Sequence, residues 1–333
     1  MKAVVYEDYG GPEVLQLKEI DKPTPKANEV LIQNFASSVN FGDIYLRKFN
    51  TITPQKFSMP SILWVLTKLL VGINKPKRKT LGSEFAGVVS QIGPSVKQFK
   101  QGDQVFGYRG MEVGTNAEYL TMPEKSLISI KPSNINFEES ATIPYGALTA
   151  FSLLKKMSIK PGQKVLINGA SGSIGSAALQ LAKYYGAEVT GVCGTSRIEY
   201  VKALGADKVI DYTKEDFTKN SETYDLIFDI LNKSSFSKCK NSLTTQGKYL
   251  LASFKMKQLL QMLVTSLRRG KKVVCALSNN KPEDLIFIKE LVENGKIKTI
   301  IDKSFPLDQA TEAHSYYESA QRKSSVVLSI NYK

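Results

Sequence analysis

The sequence predicts an α/β fold with two parts, a doubly wound parallel sheet in the middle of the chain and an irregular β domain before it. Between about residues 160 and 280, short apolar strand candidates alternate with helix-like segments, and the first of these strands runs into a glycine-rich turn. The first 130 residues instead hold β-rich runs separated by Gly and Pro. Strands that alternate with helices predict parallel βαβ units, whereas the earlier runs predict irregular β structure.

The strand candidates of the first part are short runs rich in apolar and β-branched residues. They are 3–6, 15–19, 30–36, 85–92, 104–107 and 118–121. One more candidate, 325–330, comes after the central part of the chain, and we expect it to return to the first domain.

The strand candidates of the central part are separated by segments with helical spacing. They are 165–168, 188–193, 208–212, 226–229, 248–252 and 273–277. One separating helix covers 197–204, and Gly205 is expected to end it because glycine readily adopts the left-handed conformation. In a doubly wound sheet the ligand lies across the carboxyl ends of the strands, so we expect a cofactor there.

A glycine-rich turn follows the first central strand. Glycines at 169, 172 and 175 would allow a sharp turn, a close approach to a phosphate and tight packing of the next helix, whose first amides face the anion. The spacing is GxxGxxG rather than the usual GxGxxG, but a strand precedes it and a helical pattern follows to Tyr184 and Tyr185. The turn therefore predicts a dinucleotide pyrophosphate site, whose residues are Gly169, Ser171, Gly172, Ser173, Ile174 and Gly175.

The composition is that of a globular protein, with 42% hydrophobic and 23% charged residues. No uncharged apolar run reaches the roughly 18 residues that span a bilayer. Met1 leads directly into a strand-like run, which does not resemble a secretory signal. Three distant cysteines (Cys193, Cys239, Cys275) and a single histidine (His314) form no metal-ligand motif. We therefore expect no metal site, reduced thiols, a packing or surface role for His314, and a cytoplasmic location.

The net charge of +14 suits an anionic partner, such as nucleic acid, a phospholipid surface or a phosphorylated cofactor. The charge is scattered, so we predict no nucleic-acid binding. Residues 60–79 combine an apolar run, the only tryptophan and a basic end, which would let an amphipathic helix lie on an anionic membrane. The same apolar face could cover a substrate pocket or a subunit interface. A second apolar and basic run, 254–272, keeps peripheral membrane contact open.

Several local sequences are specific when taken together. They are 1–6 with 9–13, 38–45, 81–89, 102–107, 117–119, 141–150 and 204–212. With them the chain resembles the medium-chain dehydrogenase/reductase superfamily, specifically its zinc-free quinone oxidoreductase branch, which includes zeta-crystallin-like proteins and enone reductases. The resemblance implies a GroES-like β domain (1–120), a Rossmann NADP-binding domain (121–294) and a return to the first domain (295–333). It also implies an active site in the interdomain cleft and a homodimer.

The zinc-dependent members of this superfamily carry Cys, His and Cys at positions that correspond here to Asn40 or its neighbours, Ser83 and Pro144. These substitutions remove the thiolate and imidazole ligands. The resemblance therefore implies that alcohol oxidation through a zinc alkoxide does not occur here.

The end of the second central strand indicates which cofactor binds. An NAD site usually has an acidic residue there, whereas this chain has Thr195, Ser196 and Arg197, whose hydroxyls and guanidinium suit a 2′-phosphate. NADPH is the predicted cofactor, although Thr195 and Ser196 could also cap the next helix. The resemblance adds Tyr212 at the adenosine phosphate and Thr149 near the nicotinamide. Packing on the sheet and a local helix cap are their alternatives.

Without a metal, hydride transfer depends on positioning and on donors to an oxygen that gains negative charge. A quinone, or a C=C conjugated to a carbonyl, fits this requirement. Asn40 and Tyr45, in the family's NFxDxY motif, are the predicted catalytic residues, which orient the substrate or the nicotinamide ribose. A turn role for Asn40 and a packing role for Tyr45 remain open, and Asp43 is expected to be structural.

The sequence thus predicts an NADPH-dependent, zinc-independent oxidoreductase that acts on a quinone or an α,β-unsaturated carbonyl. The alternative is a protein that binds NADPH as a scaffold or sensor with little turnover.

Overall fold

A computed structural model describes residues 1–53 and 61–330, without the side chains of residues 61–63. These residues form two compact units. The first comprises Met1–Ile52, Leu66–Tyr145 and the described part of Asn280–Lys333, and the second comprises the described part of Thr53–Val65 and Gly146–Asn279.

The strands, in chain order, are β1 (Lys2–Val5), β2 (Gln16–Glu19), β3 (Glu29–Val39), β4 (Glu84–Ile92), β5 (Gln104–Tyr108), β6 (Tyr119–Pro123), β7 (Ile128–Ile130), β8 (Lys164–Asn168), β9 (Glu188–Cys193), β10 (Lys208–Asp211), β11 (Tyr224–Asp229), β12 (Leu243–Leu251), β13 (Lys272–Cys275), β14 (Ile301–Pro306) and β15 (Ser325–Ser329). The α-helices are α1 (Phe41–Arg47), α2 (Ser61–Val71), α3 (Phe137–Ser140), α4 (Pro144–Leu154), α5 (Ser173–Tyr184), α6 (Ile198–Ala203), α7 (Phe236–Cys239), α8 (Met256–Ser266), α9 (Pro282–Glu293) and α10 (Ala310–Glu318).

The sheet of the second unit is parallel, with the strand order β10-β9-β8-β11-β12-β13. The order runs outward in both directions from β8, which is the doubly wound arrangement that the alternating pattern predicts. The middle of β8, Val165 to Ile167, is fully buried, as expected for a strand with helices on both faces. The predicted fold class is confirmed for this part of the chain.

The sheet of the first unit mixes both strand directions, in the order β14-β15-β3-β4-β5-β7, with β6 also paired to β3. β15 lies between β14, which runs parallel to it, and β3, which runs antiparallel. The predicted return of 325–330 to the first domain is therefore confirmed. Apolar side chains from β3, β4 and β5, such as Ile32, Phe85 and Val105, form a buried core on this sheet.

The two units differ from the predicted domain limits at 120 and 294. Residues up to Tyr145 group with the first unit, because β6 pairs with β3 and β7 with β5. Helix α9 also groups with it, since Glu293 and the Val292 carbonyl accept hydrogen bonds from Ser133 and Asn134. The limits of the two units thus depend on hydrogen bonds between residues that are far apart in the sequence. Sequence periodicity does not reveal such bonds.

The apolar and basic segments form amphipathic helices, α2 in 60–79 and α8 in 254–272. Within residues 1–53 and 61–330, no helix has both the length and the apolarity needed to cross a bilayer.

Candidate functional site

The turn between β8 and α5 requires glycine at two of its three glycine positions. Gly169 has a φ of +97°, in the left-handed region. At Gly175 a Cβ would lie 2.1 Å from the carbonyl oxygen of Gly169, so any side chain there would push the helix away from the turn. Gly172 has an ordinary backbone conformation, and the nearest atom to a Cβ there would be 3.6 Å away. Gly172 therefore leaves open space beside the first turn of α5.

The first turn of α5 has the properties of an anion site. Gly172 is the N-cap residue, no side chain caps the helix, and no acidic residue lies in its first turn. The amides that begin this 12-residue helix, among them those of Ser173 and Ile174, therefore carry the positive end of its dipole without a carboxylate to neutralise it. The predicted pyrophosphate residues are thus brought together at one helix end.

Helix α4 lies directly against this turn. A Cβ at Gly146 would be 2.3 Å from the carbonyl oxygen of Ser173, so the absence of a side chain at Gly146 permits the contact. Thr149 lies three residues further along α4, on the same face as Gly146. It is inside the helix, which excludes the alternative role of a helix cap.

The end of β9 meets the glycine turn through Arg197. Its Nη1 donates to the hydroxyl of Ser171 over 3.5 Å, which joins two predicted cofactor residues 26 positions apart. Thr195 and Ser196 are exposed in a short 3₁₀ turn, Thr195–Arg197. Gly194 precedes that turn and Arg197 precedes α6, so neither Thr195 nor Ser196 is an N-cap residue. Their alternative role as helix caps is therefore not observed.

A carboxylate that the sequence analysis did not single out lies beside this segment. Asp211 ends β10 and pairs with Cys193 at the end of β9. It accepts hydrogen bonds from the hydroxyl of Thr195 (2.5 Å) and from the amide and hydroxyl of Thr213 (3.0 and 2.8 Å). The Thr195 hydrogen bond is the main reason that the pKa of Asp211 is lowered. Thr195 therefore donates its hydroxyl proton within the protein, and Ser196 and Arg197 stay predicted donors to a 2′-phosphate.

Tyr212 follows Asp211 and is 66% exposed. Its hydroxyl would lie 3.3 Å from a Cβ at Gly194, so the ring extends across the glycine that ends β9. The ring is open to solvent beside the Thr195–Arg197 turn, rather than packed into the sheet.

A second buried carboxylate ties the strand ends together. Asp229, fully buried at the end of β11, accepts hydrogen bonds from the Asn168 amide at the end of β8 (3.1 Å) and from the Tyr249 hydroxyl on β12 (2.7 Å). It also accepts from the amide of Ser234 at 2.9 Å, which fixes the loop after β11. Leu231 of that loop would lie 3.5 Å from a Cβ at Gly169. Asp229 therefore holds the surroundings of the glycine turn in place.

In the first unit, Asn40 is the N-cap residue of α1. Its side-chain oxygen accepts from the amide of Gly42 (2.8 Å), and the carboxylate of Asp43 accepts from the Asn40 amide (3.0 Å), which forms a capping box. The other Asp43 oxygen accepts from the amide of Gly82 at 3.0 Å. Asp43 therefore joins α1 to the segment before β4, in agreement with its predicted structural role.

The side-chain amide of Asn40 donates to the Ser83 hydroxyl (2.9 Å) and to Glu84 (3.1 Å). Glu84 also accepts from the Ser38 hydroxyl and from the amide of Tyr145 at 2.8 Å, next to Pro144. Asn40, Ser83 and the residue after Pro144 are thus joined through an amide, two hydroxyls and a carboxylate.

Both hydrogens of the Asn40 side-chain amide are donated to acceptors within the protein. This arrangement agrees with a turn role for Asn40 rather than with a role in orienting the substrate. This geometry weakens the prediction that Asn40 is catalytic. Burial raises the pKa of Glu84 from 4.5 to about 7, against three hydrogen bonds that favour the ionised form. Burial likewise raises the pKa of Asp43 to about 7.

Tyr45 lies half-buried on α1, with its ring 5.5 Å from that of the exposed Phe41. Burial raises the pKa of its hydroxyl above the ordinary value of 10. The catalytic role of Tyr45 stays a prediction.

Across the part of the chain that the structure describes, His, Cys, Asp and Glu side chains form no group of three or more that could hold a metal ion. His314 is fully buried on α10, and burial lowers its pKa to about 3, so it has a packing role.

Comparison with known proteins identifies the family. The model of the alcohol dehydrogenase GroES-like domain matches residues 26–132, and that of the zinc-binding dehydrogenase family matches residues 204–328. The chain is 30% identical to an NADPH-dependent alkenal/one oxidoreductase of Arabidopsis thaliana, over 98% of this chain and 79% of that protein. It is 33% identical to a chloroplast envelope quinone oxidoreductase homolog of the same plant, over 94% and 93% of the two chains.

Among solved structures, the quinone oxidoreductase from Coxiella burnetii superposes with a TM-score of 0.84 and 27% identity, over 99% of both chains. The match covers residues of both units. The chain therefore belongs to the medium-chain dehydrogenase/reductase superfamily, in its quinone oxidoreductase branch.

Proposed function

We propose that the protein is an NADPH-dependent, zinc-independent oxidoreductase that transfers hydride to a quinone or to the C=C of an α,β-unsaturated carbonyl. The single observation that carries the proposal is the Asn40–Ser83 hydrogen bond, because it occupies two positions that hold zinc ligands in metal-dependent relatives. The relatives with alkenal/one and quinone oxidoreductase activities in their names support the same reaction class.

The donor set in the first unit does not fit zinc. Zinc sites in proteins are built from thiolates, imidazoles and carboxylates, usually three or four together. Here the only such groups among the three substituted positions and their hydrogen-bond partners are the carboxylates of Glu84 and Asp43, which already accept three and two hydrogen bonds. The proposed reaction therefore uses no metal ion.

The residues of the second unit do fit a dinucleotide. The first turn of α5 would hold the pyrophosphate, Ser196 and Arg197 would hold the 2′-phosphate, and Tyr212 would lie beside the adenosine. Thr149 would approach the nicotinamide. NADPH, when bound, would supply the hydride. The oxygens of Asp211 beside this segment already accept hydrogen bonds from Thr195 and Thr213.

Without a Lewis acid, the acceptor must already be electron-poor. Quinones and conjugated enones meet this condition, because the charge that develops after hydride addition is delocalised onto an oxygen. Hydrogen-bond donors stabilise such an oxygen most when they are placed beforehand in a dry site. We assign this donor role to Tyr45, because its phenol O–H can donate a hydrogen bond and it lies on α1 within the NFxDxY motif. We also propose that the protein is a homodimer and is located in the cytoplasm.

The test is an assay of purified protein with NADPH or NADH against quinones, 2-enals, enones and simple alcohols. We expect NADPH consumption with quinones or enones, no alcohol oxidation, and no loss of rate after treatment with a zinc chelator. Loss of activity in chelator that zinc restores would overturn the metal-free mechanism. Tight NADPH binding without turnover across the panel would show instead the scaffold or sensor role.

The role of Tyr45 needs its own control. Tyr45→Phe should lower kcat with enones and leave NADPH affinity unchanged, whereas the exposed neighbour Phe41→Leu should change neither. If kcat were unchanged in Tyr45→Phe, Tyr45 would have a packing role and not a catalytic one.

A further inference from the structure

Helix α8 has two apolar faces, of which the second unit buries only one. Leu259 and Met262 pack against the core of that unit, near Phe254 and Val273. The amide of Cys275 also donates to the sulfur of Met262 at 3.3 Å, which fixes the orientation of the helix.

The other face of α8 is apolar and exposed to water. Its side chains, together with that of Leu267 directly after the helix, are between 47% and 83% exposed, and they are Met256, Leu260, Leu263, Val264 and Leu267. Positions that are four, seven, eight and eleven residues after the first lie on one side of a helix. A surface helix ordinarily carries polar residues on its solvent side, so a contiguous apolar face there indicates a binding partner.

The charges around this face have one sign. Residues 254–272 contain six Lys and Arg residues and no Asp or Glu. Arg268 and Arg269 are exposed immediately after the helix, next to Leu267. The ammonium groups of Lys271 and Lys272 donate to the carbonyls of Lys240 and Thr265, which do not neutralise their charge. Among the described residues, the ion pairs that form do not include any of these six cations.

Two partners could cover the apolar face of α8, a second copy of the chain or an anionic bilayer, and the positive charge around the face distinguishes them. A second copy of the chain in a two-fold contact would bring the same six cations against themselves, because such an interface pairs a surface with itself. An anionic bilayer offers acyl chains to the apolar side chains and negative headgroups to the cations. We propose that α8 docks the second unit on anionic lipid membranes, with the helix axis in the plane of the headgroups.

Helix α2 in the predicted membrane segment 60–79 is a weaker candidate. Its Leu66, Leu69 and Leu70 are exposed, but Trp64 is only 5% exposed and does not face outward. The basic residues after it are partly neutralised, since Lys75 pairs with Asp8 at 3.4 Å and Lys79 lies 3.9 Å from Glu7. Helix α2 therefore serves as the control for α8, because it also exposes apolar side chains but has fewer unpaired cations beside it.

The experiment is cosedimentation of the full chain with vesicles of phosphatidylcholine alone or mixed with phosphatidylserine, at low and high salt. We expect binding to the anionic vesicles at low salt and its loss at high salt. The double variant Arg268→Gln/Arg269→Gln should lower the affinity by about thirtyfold, since each of the two cations near the surface contributes about 1 kcal/mol. Leu263→Gln/Leu267→Gln should abolish binding, whereas Leu69→Gln/Leu70→Gln on α2 should retain it.

Each variant is also compared with the wild type by thermal unfolding and by NADPH binding, which the exposed substitutions should not change. Absence of binding to anionic vesicles at low salt would overturn the proposal, as would retained binding by the Leu263 and Leu267 variant. A concentration-dependent dimer that this variant converts to monomer in sedimentation velocity would assign the face to a second copy and would equally overturn it. None of these outcomes depends on the reductase activity.

Discussion

The two polar clusters of this protein use their hydrogen-bonding groups in opposite ways. In the first unit, Glu84 is buried and accepts hydrogen bonds from Ser38, Asn40 and Tyr145, so the cluster is complete within the protein. In the second unit, the glycine turn leaves space at Gly172, and Ser196 is exposed at the strand end. A cluster that satisfies itself stabilises the fold, whereas donors arranged around open space are suited to a ligand. The difference distinguishes the predicted site residues whose hydrogen-bonding groups are satisfied within the protein from those that border open space or solvent.

The largest effect should come from Gly175→Ala. The new Cβ would be 2.1 Å from the Gly169 carbonyl oxygen, which is backbone and cannot rotate away. We expect a loss of stability at or above about 3 kcal/mol, the upper end for overpacking, together with loss of NADPH binding. Thermal unfolding and cofactor fluorescence measure the two effects.

The matched control is Gly172→Ala, whose Cβ meets nothing closer than 3.6 Å. It should fold with unchanged stability but bind NADPH more weakly, because the methyl group enters the space left for the pyrophosphate. If Gly172→Ala and Gly175→Ala were equally stable, the close approach of Gly175 to the Gly169 carbonyl oxygen would not limit the residue at position 175.

Glu84→Gln should have an intermediate effect that depends on pH. Glutamine has one acceptor oxygen where Glu84 presents two, so a donor such as the Asn40 amide loses its acceptor, at a cost of about 1–3 kcal/mol. Folding raises the pKa of Glu84 from 4.5 to about 7, so between these values the folded state binds more protons than the unfolded chain. The contribution of Glu84 to stability is therefore greatest below pH 4.5 and is lost as the pH rises to 7.

Denaturant unfolding at pH 5 and pH 8 tests this prediction through the difference between variant and wild type. The difference is necessary because His314, with its pKa lowered to about 3, makes stability rise with pH up to its ordinary value of 6.5. The variant should lose less stability than the wild type between the two pH values. Glu19→Gln, which removes an exposed carboxylate, is the control. A pH profile of Glu84→Gln parallel to that of the wild type would contradict the raised pKa of Glu84.

The smallest expected effect is on cofactor choice. Arg197→Ala should weaken NADPH binding by about tenfold and leave NADH binding unchanged, since only NADPH carries the 2′-phosphate and one charge-assisted contact contributes about that much. Lys202→Ala on α6 removes the same charge from an exposed residue paired with Glu199 and should alter neither affinity. If Arg197→Ala weakened both cofactors equally, the phosphate would be bound elsewhere.

Periodicity and glycine placement predicted most of the fold. The central strands begin or end within a few residues of their predicted limits, because alternating apolar runs, helical spacing and Gly205, with its φ of +97°, are local signals. The glycine turn was predicted for the same reason, since its strand, turn and helix are contiguous in sequence.

The hydrogen-bond partners of the site residues could not be predicted in the same way. Asp211 reaches Thr195 only because β9 and β10 are parallel neighbours whose last residues lie at one edge. A prediction that β9 and β10 pair would have indicated that Asp211 lies close to Thr195. Asn40 has its amide hydrogens occupied by Ser83 and Glu84, more than 40 residues away. No local pattern distinguishes such a residue from one that faces a substrate.

The position of β15 has a consequence for biosynthesis. This strand lies between β14 and β3, and the nearby ion pair of Arg47 with Glu318 joins residues 271 positions apart. During translation, residues 146–279 emerge as one continuous stretch and can build their sheet at once, because domains fold as units as they leave the ribosome. The edge of β3 that β15 covers, in contrast, stays unpaired until residues 325–329 have been made. The first unit, although it begins the chain, is therefore the last to be completed and the one that most needs protection from aggregation during synthesis.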